Sequence, residues 1–248
     1  MYKNINLITA IITPFNEKNE IDYPALDHVI DHLLSHGTQG LVIAGTTGES
    51  PTLTHAEKLA LTRHIVDYVA DDVLLIANAG TNNTVESVQN AKELGAIDGV
   101  DAILAVTPYY NKPSQAGMIA HFEAIADASP KPVMLYNIPG RSAVGLTVDS
   151  VVTLAQHPNI NAVKETTSAE FIGAEVEKTQ AVDFSVYTGE DAQTLAAYSQ
   201  GGAGTISLAA HLCGDDIAAL CTAMKSGDWR EAGRLQRYLT PRMNALFA

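Results

Sequence analysis

Eight short apolar runs recur along the chain, with segments of helical periodicity between them. Strands that alternate with helices build a parallel sheet, because parallel neighbours need a crossover connection. Eight such units in 248 residues fit an α/β fold of the closed (β/α)8 TIM barrel type better than an open doubly wound sheet. The runs lie at about residues 5–13, 40–44, 73–79, 102–107, 133–137, 160–164, 184–188 and 204–208.

The connecting segments carry the signals of amphipathic helices. In residues 23–36 the apolar side chains recur at three- and four-residue steps. Thr54 and Glu57 form the capping box that begins the next helix. Beyond the eighth unit the same period continues as a ninth helix. We therefore predict a barrel catalytic domain over residues 1–227 and the start of a C-terminal helical region over residues 228–248.

Charge and cysteine content argue against several classes of protein. The formal net charge is −13, and strong binding to nucleic acid or to an anionic membrane needs clustered cations. Cys213 and Cys221 are too few for a disulfide framework or a zinc site. No signal peptide and no apolar run of membrane-spanning length is visible. We therefore predict a cytoplasmic protein without a metal, nucleic-acid or membrane partner.

Lys164 ends the sixth apolar run, where a buried strand meets a loop. Desolvation there disfavours the charged ammonium, and a neutral amine can attack a carbonyl carbon to form a Schiff base. The alternative is a lysine whose ammonium reaches solvent and pairs with Glu165. The neighbouring strand ends decide between the two, because the C-terminal ends of barrel strands form the active-site rim.

Hydroxyl groups follow several strands at this rim. Imine formation and carbon–carbon bond formation both move protons, so an acid/base group must stand close to the amine. Tyr136 ends the fifth run and is the candidate. A phenol needs hydroxyl partners to relay protons near neutral pH, and Thr47 and Tyr110 can supply them. We therefore predict that Lys164, Tyr136, Thr47 and Tyr110 carry the catalysis.

Two further features predict the binding of carboxylates. The Gly-Thr-Thr-Gly loop at residues 45–48 lets backbone N–H groups approach an anion, and its threonine hydroxyls add donors. It lacks the Gly-Lys-Ser/Thr ending of a phosphate loop. Arg141 carries a planar fork suited to bidentate binding of a second carboxylate. No His, Cys or Asp cluster with metal-ligand spacing lies among these rim residues.

Four motifs, in this order, resemble those of the dihydrodipicolinate synthase family, within the pyruvate-dependent, lysine-imine class I aldolases. The similarity extends from the first strand to the last residue. Several motifs in the correct order are a stronger signal than any one of them. The matching segments are Gly-Thr-Thr-Gly-Glu-Ser at 45–50, Thr-Pro-Tyr-Tyr-Asn-Lys-Pro at 107–113, Tyr-Asn-Ile-Pro-Gly-Arg at 136–141 and Val-Lys-Glu at 163–165.

The resemblance implies a lyase that condenses pyruvate with L-aspartate 4-semialdehyde to 4-hydroxy-tetrahydrodipicolinate, on the diaminopimelate route to lysine. Lys164 would form the pyruvate imine, and no cofactor or metal would be needed. The pyruvate carboxylate would lie on the two threonines, and the semialdehyde carboxylate would lie on the arginine. The implied substrate-binding residues are Thr46, Thr47, Arg141, Gly189 and Ile206, the last two through their backbones.

The resemblance also implies an assembly and a regulatory site. Tyr110 would be supplied across a tight dimer interface by the partner subunit, within a homodimer or homotetramer. A lysine-feedback site would map to Ser50, His55, Lys58, Asn82, Glu86 and Tyr109. Lys58 stands where lysine-inhibited members usually carry histidine, and a cation there should repel the ammonium of an incoming lysine. We therefore expect weak or absent feedback.

Family members extend further at the C-terminus, so the resemblance implies a truncated C-terminal helical extension. Its first helix would lose packing partners and expose Leu239, Leu246 and Phe247. Reduced stability, altered assembly or lost activity could follow from this loss.

Two other functions stay open at this point. Sibling lyases that act on N-acetylneuraminate or 2-keto-3-deoxy sugar acids share the lysine, the tyrosine and a Gly-Thr-Thr-Gly-type loop. Arg141 and Tyr110 favour a short second substrate that carries its own carboxylate. The other alternative is a non-catalytic barrel that serves as an assembly or binding module.

Overall fold

Eight parallel strands close into a barrel, each pairing with its neighbours in sequence and the last pairing with the first. The structure is a computed structural model and describes residue 2 and residues 4–246. The predicted (β/α)8 barrel is therefore confirmed. The strands are β1 (Leu7–Ala10), β2 (Gly40–Ile43), β3 (Leu74–Asn78), β4 (Ala102–Val106), β5 (Val133–Asn137), β6 (Ile160–Glu165), β7 (Ser185–Thr188) and β8 (Gly204–Ser207).

A helix follows every strand and covers the outside of the barrel. One further short helix, α5, forms directly after β5, and α10 follows the last barrel helix. The sequence did not reveal α5, so the helix counted there as the ninth is α10. The helices are α1 (Tyr23–Ser35), α2 (His55–Tyr68), α3 (Thr84–Gly95), α4 (Gln115–Ala128), α5 (Pro139–Ser142), α6 (Val148–Leu154), α7 (Ala169–Thr179), α8 (Thr194–Ser199), α9 (Ala210–Ser226) and α10 (Trp229–Ala245).

The strands are buried on both faces, which is why they read as continuous apolar runs rather than as alternating ones. Side chains of one face fill the inside of the barrel, and those of the other face pack under the helices. The inner set includes Ile8, Val42, Ile76, Leu104, Met134 and Ala162. The outer set includes Leu41, Ile43, Ile103, Leu135 and Val163.

Local side-chain caps determine where the helices begin. The Thr54 side chain accepts a hydrogen bond from the Glu57 backbone N–H, and the Glu57 carboxylate accepts one from the Thr54 backbone, so the predicted capping box is confirmed. Asp22 caps α1 by accepting a hydrogen bond from the Ala25 N–H at 3.0 Å. These contacts satisfy N–H groups that have no partner within the helix.

The α10 helix packs against α9 through one apolar face. Leu239 is 0% exposed and belongs to a cluster with Leu220 and Met224 of α9, so its predicted exposure was wrong. The reason is that α9, together with α8 and the turn at Asp191–Gln193, packs against α10. Leu246 is 39% exposed, as predicted. Phe247 lies outside the described residues.

Candidate active site

Three neighbouring strands end in side chains that lie side by side within the barrel. In the strand register Tyr136 of β5 pairs with Lys164 of β6, and Lys164 pairs with Tyr187 of β7. Lys164 shares the inner face with Ala162, since side chains alternate along a strand. The register therefore brings the predicted nucleophile next to the predicted acid/base group.

Lys164 and Tyr136 are buried and close to each other. Their side chains are 7% and 6% exposed, and the Lys164 Nζ lies 4.5 Å from the centroid of the Tyr136 ring. Glu165 points to the opposite face of β6, where it accepts a hydrogen bond from Asn137 Nδ2 at 2.7 Å. The alternative, a solvated Lys164 paired with Glu165, was therefore wrong.

Gly189, directly after β7, leaves space for the lysine side chain. A Cβ atom at this position would lie 2.6 Å from Lys164 Cε and 2.8 Å from Thr166 Cγ2. Its backbone N–H donates to the Glu165 carbonyl at 2.7 Å, which holds the turn against β6. A larger residue at 189 would have to displace the Lys164 side chain.

The Gly-Thr-Thr-Gly loop is folded tightly after β2. The Ser50 N–H donates to the Gly45 carbonyl at 3.2 Å, and the Thr13 hydroxyl donates to the Gly48 carbonyl at 2.8 Å. Gly48 is required here because a Cβ atom would lie 2.9 Å from the Ile11 carbonyl oxygen. The loop presents two threonine side chains at the mouth of the barrel.

Arg141 and Glu190 place opposite charges at the same mouth. Arg141 is exposed on α5, and Glu190 is half-buried after β7. Burial raises the pKa of Glu190 and the neighbouring Asp191 adds to this, whereas the positive charges of Arg141 and Lys164 oppose it. Glu190 was absent from the predicted site, although an acidic residue directly after a rim strand was a usable signal.

These groups line one cavity of about 820 Å³ at the C-terminal ends of the strands. It includes Asn244 and Leu246 near the end of α10, which sequence reasoning missed because no local pattern links them to the rim. The predicted site residues that it brings together are Thr46, Thr47, Tyr136, Arg141, Lys164, Gly189 and Ile206. The arrangement can bind a small anionic carbonyl compound and present it to an amine.

Tyr110 is not part of this cavity. Its side chain is 84% exposed, and its backbone has a φ of 71°, a left-handed conformation that non-glycine residues rarely adopt. The Tyr110 N–H donates to the Ser142 carbonyl at 3.1 Å, which ties the loop to α5, and the exposed Tyr110 side chain lines an adjoining cavity. Its relay role therefore stays a prediction about the assembly.

A second cavity of about 650 Å³ adjoins the first and shares Thr46, Tyr136 and Arg141 with it. Five of the six predicted lysine-site residues line it, namely Ser50, Lys58, Asn82, Glu86 and Tyr109. The sixth, His55, lies outside the lining and contacts Glu93 through its Nε2 at 2.5 Å. Partial burial lowers the pKa of Lys58, and the charge of Glu86 opposes this shift.

Across residues 2 and 4–246, no group of three or more His, Cys, Asp or Glu side chains could hold a metal ion. None of the helices in that part of the chain has the length and apolar character needed to cross a membrane.

Comparison with known proteins gives consistent matches over the whole chain. A sequence model of the Dihydrodipicolinate synthetase family matches residues 3–248. A 4-hydroxy-tetrahydrodipicolinate synthase of Leuconostoc citreum is 79% identical, over 100% of this chain and 85% of the relative. The crystal structure of a Bacillus anthracis dihydrodipicolinate synthase superposes with a TM-score of 0.96 at 42% identity, over 100% of this chain and 84% of that one.

A second solved structure adds a ligand. A chloride-inhibited dihydrodipicolinate synthase of Acinetobacter baumannii, complexed with pyruvate, superposes with a TM-score of 0.94 at 32% identity. The alignment covers 98% of this chain and 83% of that one.

Proposed function

This chain belongs to the dihydrodipicolinate synthetase family, and from that premise we propose that it condenses pyruvate with L-aspartate 4-semialdehyde to 4-hydroxy-tetrahydrodipicolinate. It is then a lyase of the class I aldolase type, in the diaminopimelate route to lysine. The observation that carries the proposal is the buried Lys164 amine beside the Tyr136 ring, at the end of a cavity with one arginine.

Lys164 acts first as the nucleophile. Its amine attacks the ketone carbon of pyruvate, and loss of water gives an imine. Removal of a proton from the pyruvate methyl group gives an enamine, whose carbon attacks the aldehyde of the second substrate. The amino group of that substrate then attacks the imine carbon, closes the ring and releases the lysine. The covalent imine takes the place of a cofactor.

Tyr136 moves the protons in these steps. It stands next to the amine, so it can donate to the departing hydroxyl and accept a proton later. Thr47 lines the same cavity and continues the relay from Tyr136. Burial of both phenol and amine keeps bulk water from competing for these protons.

The two carboxylates bind at different ends of the cavity. Thr46 and Thr47 hold the pyruvate carboxylate through their hydroxyl and backbone donors. Arg141 holds the semialdehyde carboxylate in a bidentate pair. Gly189 and Ile206 line the space between these ends with their backbones. The position of Arg141 favours this reaction over those of the sibling lyases, whose second substrates are sugar-derived.

The active form is a homo-oligomer, either a dimer or a tetramer. Support comes from Tyr110, which does not line the cavity of Lys164 and is exposed, and is therefore available to the cavity of a partner subunit. It would complete the relay from Tyr136 through Thr47. The proposed division of the chain is a catalytic barrel domain over residues 1–227 and a C-terminal region over residues 228–248, of which α10 (Trp229–Ala245) is the described helix. We place the protein in the cytoplasm, where its two free thiols stay reduced.

The adjoining cavity is a degenerate lysine site. Lys58 places a cation in the cavity lined by Ser50, Asn82, Glu86 and Tyr109. The negative charge of Glu86 already interacts with the Lys58 ammonium. A lysine ligand would bring a second ammonium into this space. Feedback inhibition is therefore weak or absent.

A turnover assay tests the proposal. Purified protein is given pyruvate with aspartate semialdehyde, and in parallel N-acetylneuraminate and 2-keto-3-deoxy sugar acids. Rapid consumption of the semialdehyde together with pyruvate, without cleavage of either sugar acid, supports the synthase. Cleavage of a sugar acid instead would assign the chain to a sibling activity, and no turnover by folded protein would favour the non-catalytic barrel.

A further inference from the structure

Glu165 follows Lys164 in the sequence but faces the outside of the barrel, where it is fully buried. Its carboxylate accepts hydrogen bonds from three N–H donors. Asn137 Nδ2 donates to one oxygen at 2.7 Å, and the backbone N–H groups of Thr166 and Thr167 donate to the other, each at 2.8 Å. Burial raises the pKa of Glu165, and these donors oppose that rise because they favour the ionised form.

Two residues of this network directly follow Tyr136 and Lys164 in the sequence. Asn137 follows Tyr136, and Asn137 and Glu165 are partners in the register of β5 and β6. Asn137 Oδ1 also accepts from the Leu146 N–H at 2.9 Å. The outer-face contacts therefore join the end of β5, the end of β6 and the segment after α5.

Glu175 lies behind this network on the buried face of α7. It is 0% exposed, and neither of its carboxyl oxygens has a hydrogen-bond partner among the described residues. Its neighbour is the carboxyl group of Glu165, and two carboxyl groups can share a hydrogen bond only when one of them carries a proton. Two ionised carboxylates buried side by side would repel each other strongly, so one of them must hold a proton.

The surroundings assign that proton to Glu175. Burial raises the pKa of Glu175 from 4.5 to about 10, and the carboxylate of Glu165 adds to the shift. Glu165 has its N–H donors, whereas Glu175 has none. The other neighbours of α7 supply little charge. The only titratable side chains of α8 and β7 are the phenols of Tyr198 and Tyr187, and Asp149 of α6 pairs with Lys178 in solvent.

We propose that Glu165 and Glu175 form a carboxylate–carboxylic acid pair, held together by one proton on Glu175, that fixes the ends of β5 and β6 and thereby positions Tyr136 and Lys164. Glu175, on α7, donates its O–H to the Glu165 carboxylate. The same carboxylate accepts the hydrogen bonds from Asn137 and from the turn after β6. Neither carboxyl group touches substrate, so both are positioning residues. The catalytic part of this inference rests on the imine chemistry proposed above.

The pair makes folding stability depend on pH. The folded chain keeps a proton on Glu175 that the unfolded chain releases above its ordinary pKa of 4.5. The stabilisation from this proton is therefore complete below pH 4.5 and is lost as the pH rises towards about 10. A glutamine at 175 donates an N–H to Glu165 at every pH, because an amide does not titrate.

The first experiment compares the folding stability of the protein with that of its Glu175→Gln variant. Denaturant unfolding is measured at several pH values between 6 and 9. We expect the unfolding constant of the unsubstituted protein, divided by that of the variant, to rise about tenfold per pH unit. Parallel stability curves would overturn the shared proton. This readout does not depend on turnover, so it stands whether or not the proposed function is correct.

The second experiment compares Glu175→Gln with Glu175→Leu, which has similar size but no donor. The rate at which borohydride traps the pyruvate adduct is measured at saturating and at low pyruvate. Glu175→Gln should keep the rate within about twofold, and Glu175→Leu should lower the saturating rate about tenfold or more, as expected when reacting groups shift. The pyruvate concentration for half-maximal trapping should change much less.

The outcomes separate the two proposals. If the unsubstituted protein forms no adduct, the proposed function fails, while the pH experiment still decides the shared proton. If it forms the adduct and folded Glu175→Leu reacts equally fast, the positioning role is wrong and the proposed function stands. If Glu175→Leu does not fold, Glu175→Gln decides, because a loss of trapping in that folded variant contradicts the role of the donor.

Discussion

Lys164 and Lys58 line adjoining cavities, and they show how position decides what a lysine can do. Lys164 lies near the end of β6 inside the barrel, beside the Tyr136 ring. Lys58 lies on α2 near Glu86; partial burial lowers its pKa, and the charge of Glu86 opposes this shift. The two lysines therefore differ in position: Lys164 lies beside the proposed acid/base phenol inside the barrel, whereas Lys58 lies beside a carboxylate in the adjoining cavity.

The strongest test of this difference removes the nucleophile. Lys164→Ala should abolish turnover, because no other described group in the cavity can form an imine. Lys178→Ala, which removes an exposed surface pair with Asp149, is the matched control and should keep full activity. Steady-state kinetics and circular dichroism of both variants check this, and retained turnover by Lys164→Ala would remove Lys164 from the mechanism.

Arg141→Ala should weaken the use of the semialdehyde and leave the binding of pyruvate nearly unchanged. Two charge-assisted hydrogen bonds to the semialdehyde carboxylate contribute about 4 kcal/mol together, so kcat/KM for that substrate should fall about 1,000-fold. The KM for pyruvate should change little, because its carboxylate binds at the threonines. Arg234→Ala, which breaks a surface pair with Glu231, controls for loss of charge. Equal losses for both substrates would contradict the assigned role.

Gly189→Ala should disturb Lys164 without removing it. The added Cβ atom would lie 2.6 Å from Lys164 Cε, and a displacement of about 1 Å at a reacting group lowers rates about 100-fold. Gly117→Ala on α4 is the control, since its Cβ atom would meet only ordinary contacts, the nearest at 3.4 Å. Single-turnover imine formation measures the effect, and an unchanged rate would show that the lysine has more room than the contact implies.

Lys58→His tests the other lysine and should have the smallest effect. We expect the unsubstituted protein to lose little activity in the presence of free lysine. The substitution replaces a cation by a mostly neutral ring, which should make inhibition by lysine a few-fold stronger while turnover without lysine is kept. Inhibition curves compare the two proteins. Strong inhibition of the unsubstituted protein would contradict the degenerate site.

The barrel could be predicted because its signals are local and repeated. Apolar runs indicated all eight strands, and the Thr54 capping box marked the start of α2 correctly. The contact of Lys164 with Tyr136 followed from one general rule, that strand ends meet at one rim. Periodicity alone did not indicate the four-residue α5, because it is too short to show a helical pattern.

Other features depend on contacts that no local pattern reveals. Glu165 was considered as a partner of Lys164, but alternation along β6 places it on the opposite face, and only the packing of α7 shows that it meets Glu175. The burial of Leu239 likewise depends on how α9 lies against α10. The exposure of Tyr110 could not be predicted either, because its loop is held by a backbone hydrogen bond to Ser142 of α5, which is distant in sequence.

The most direct test of the central claim is the site of covalent capture by pyruvate. The protein is incubated with pyruvate and borohydride, digested and mapped by mass spectrometry, with Lys58 as the internal comparison. The account predicts one reduced adduct, on the peptide that contains Lys164, and an unmodified Lys58. An adduct on Lys58, or a folded protein that captures no pyruvate, would contradict it.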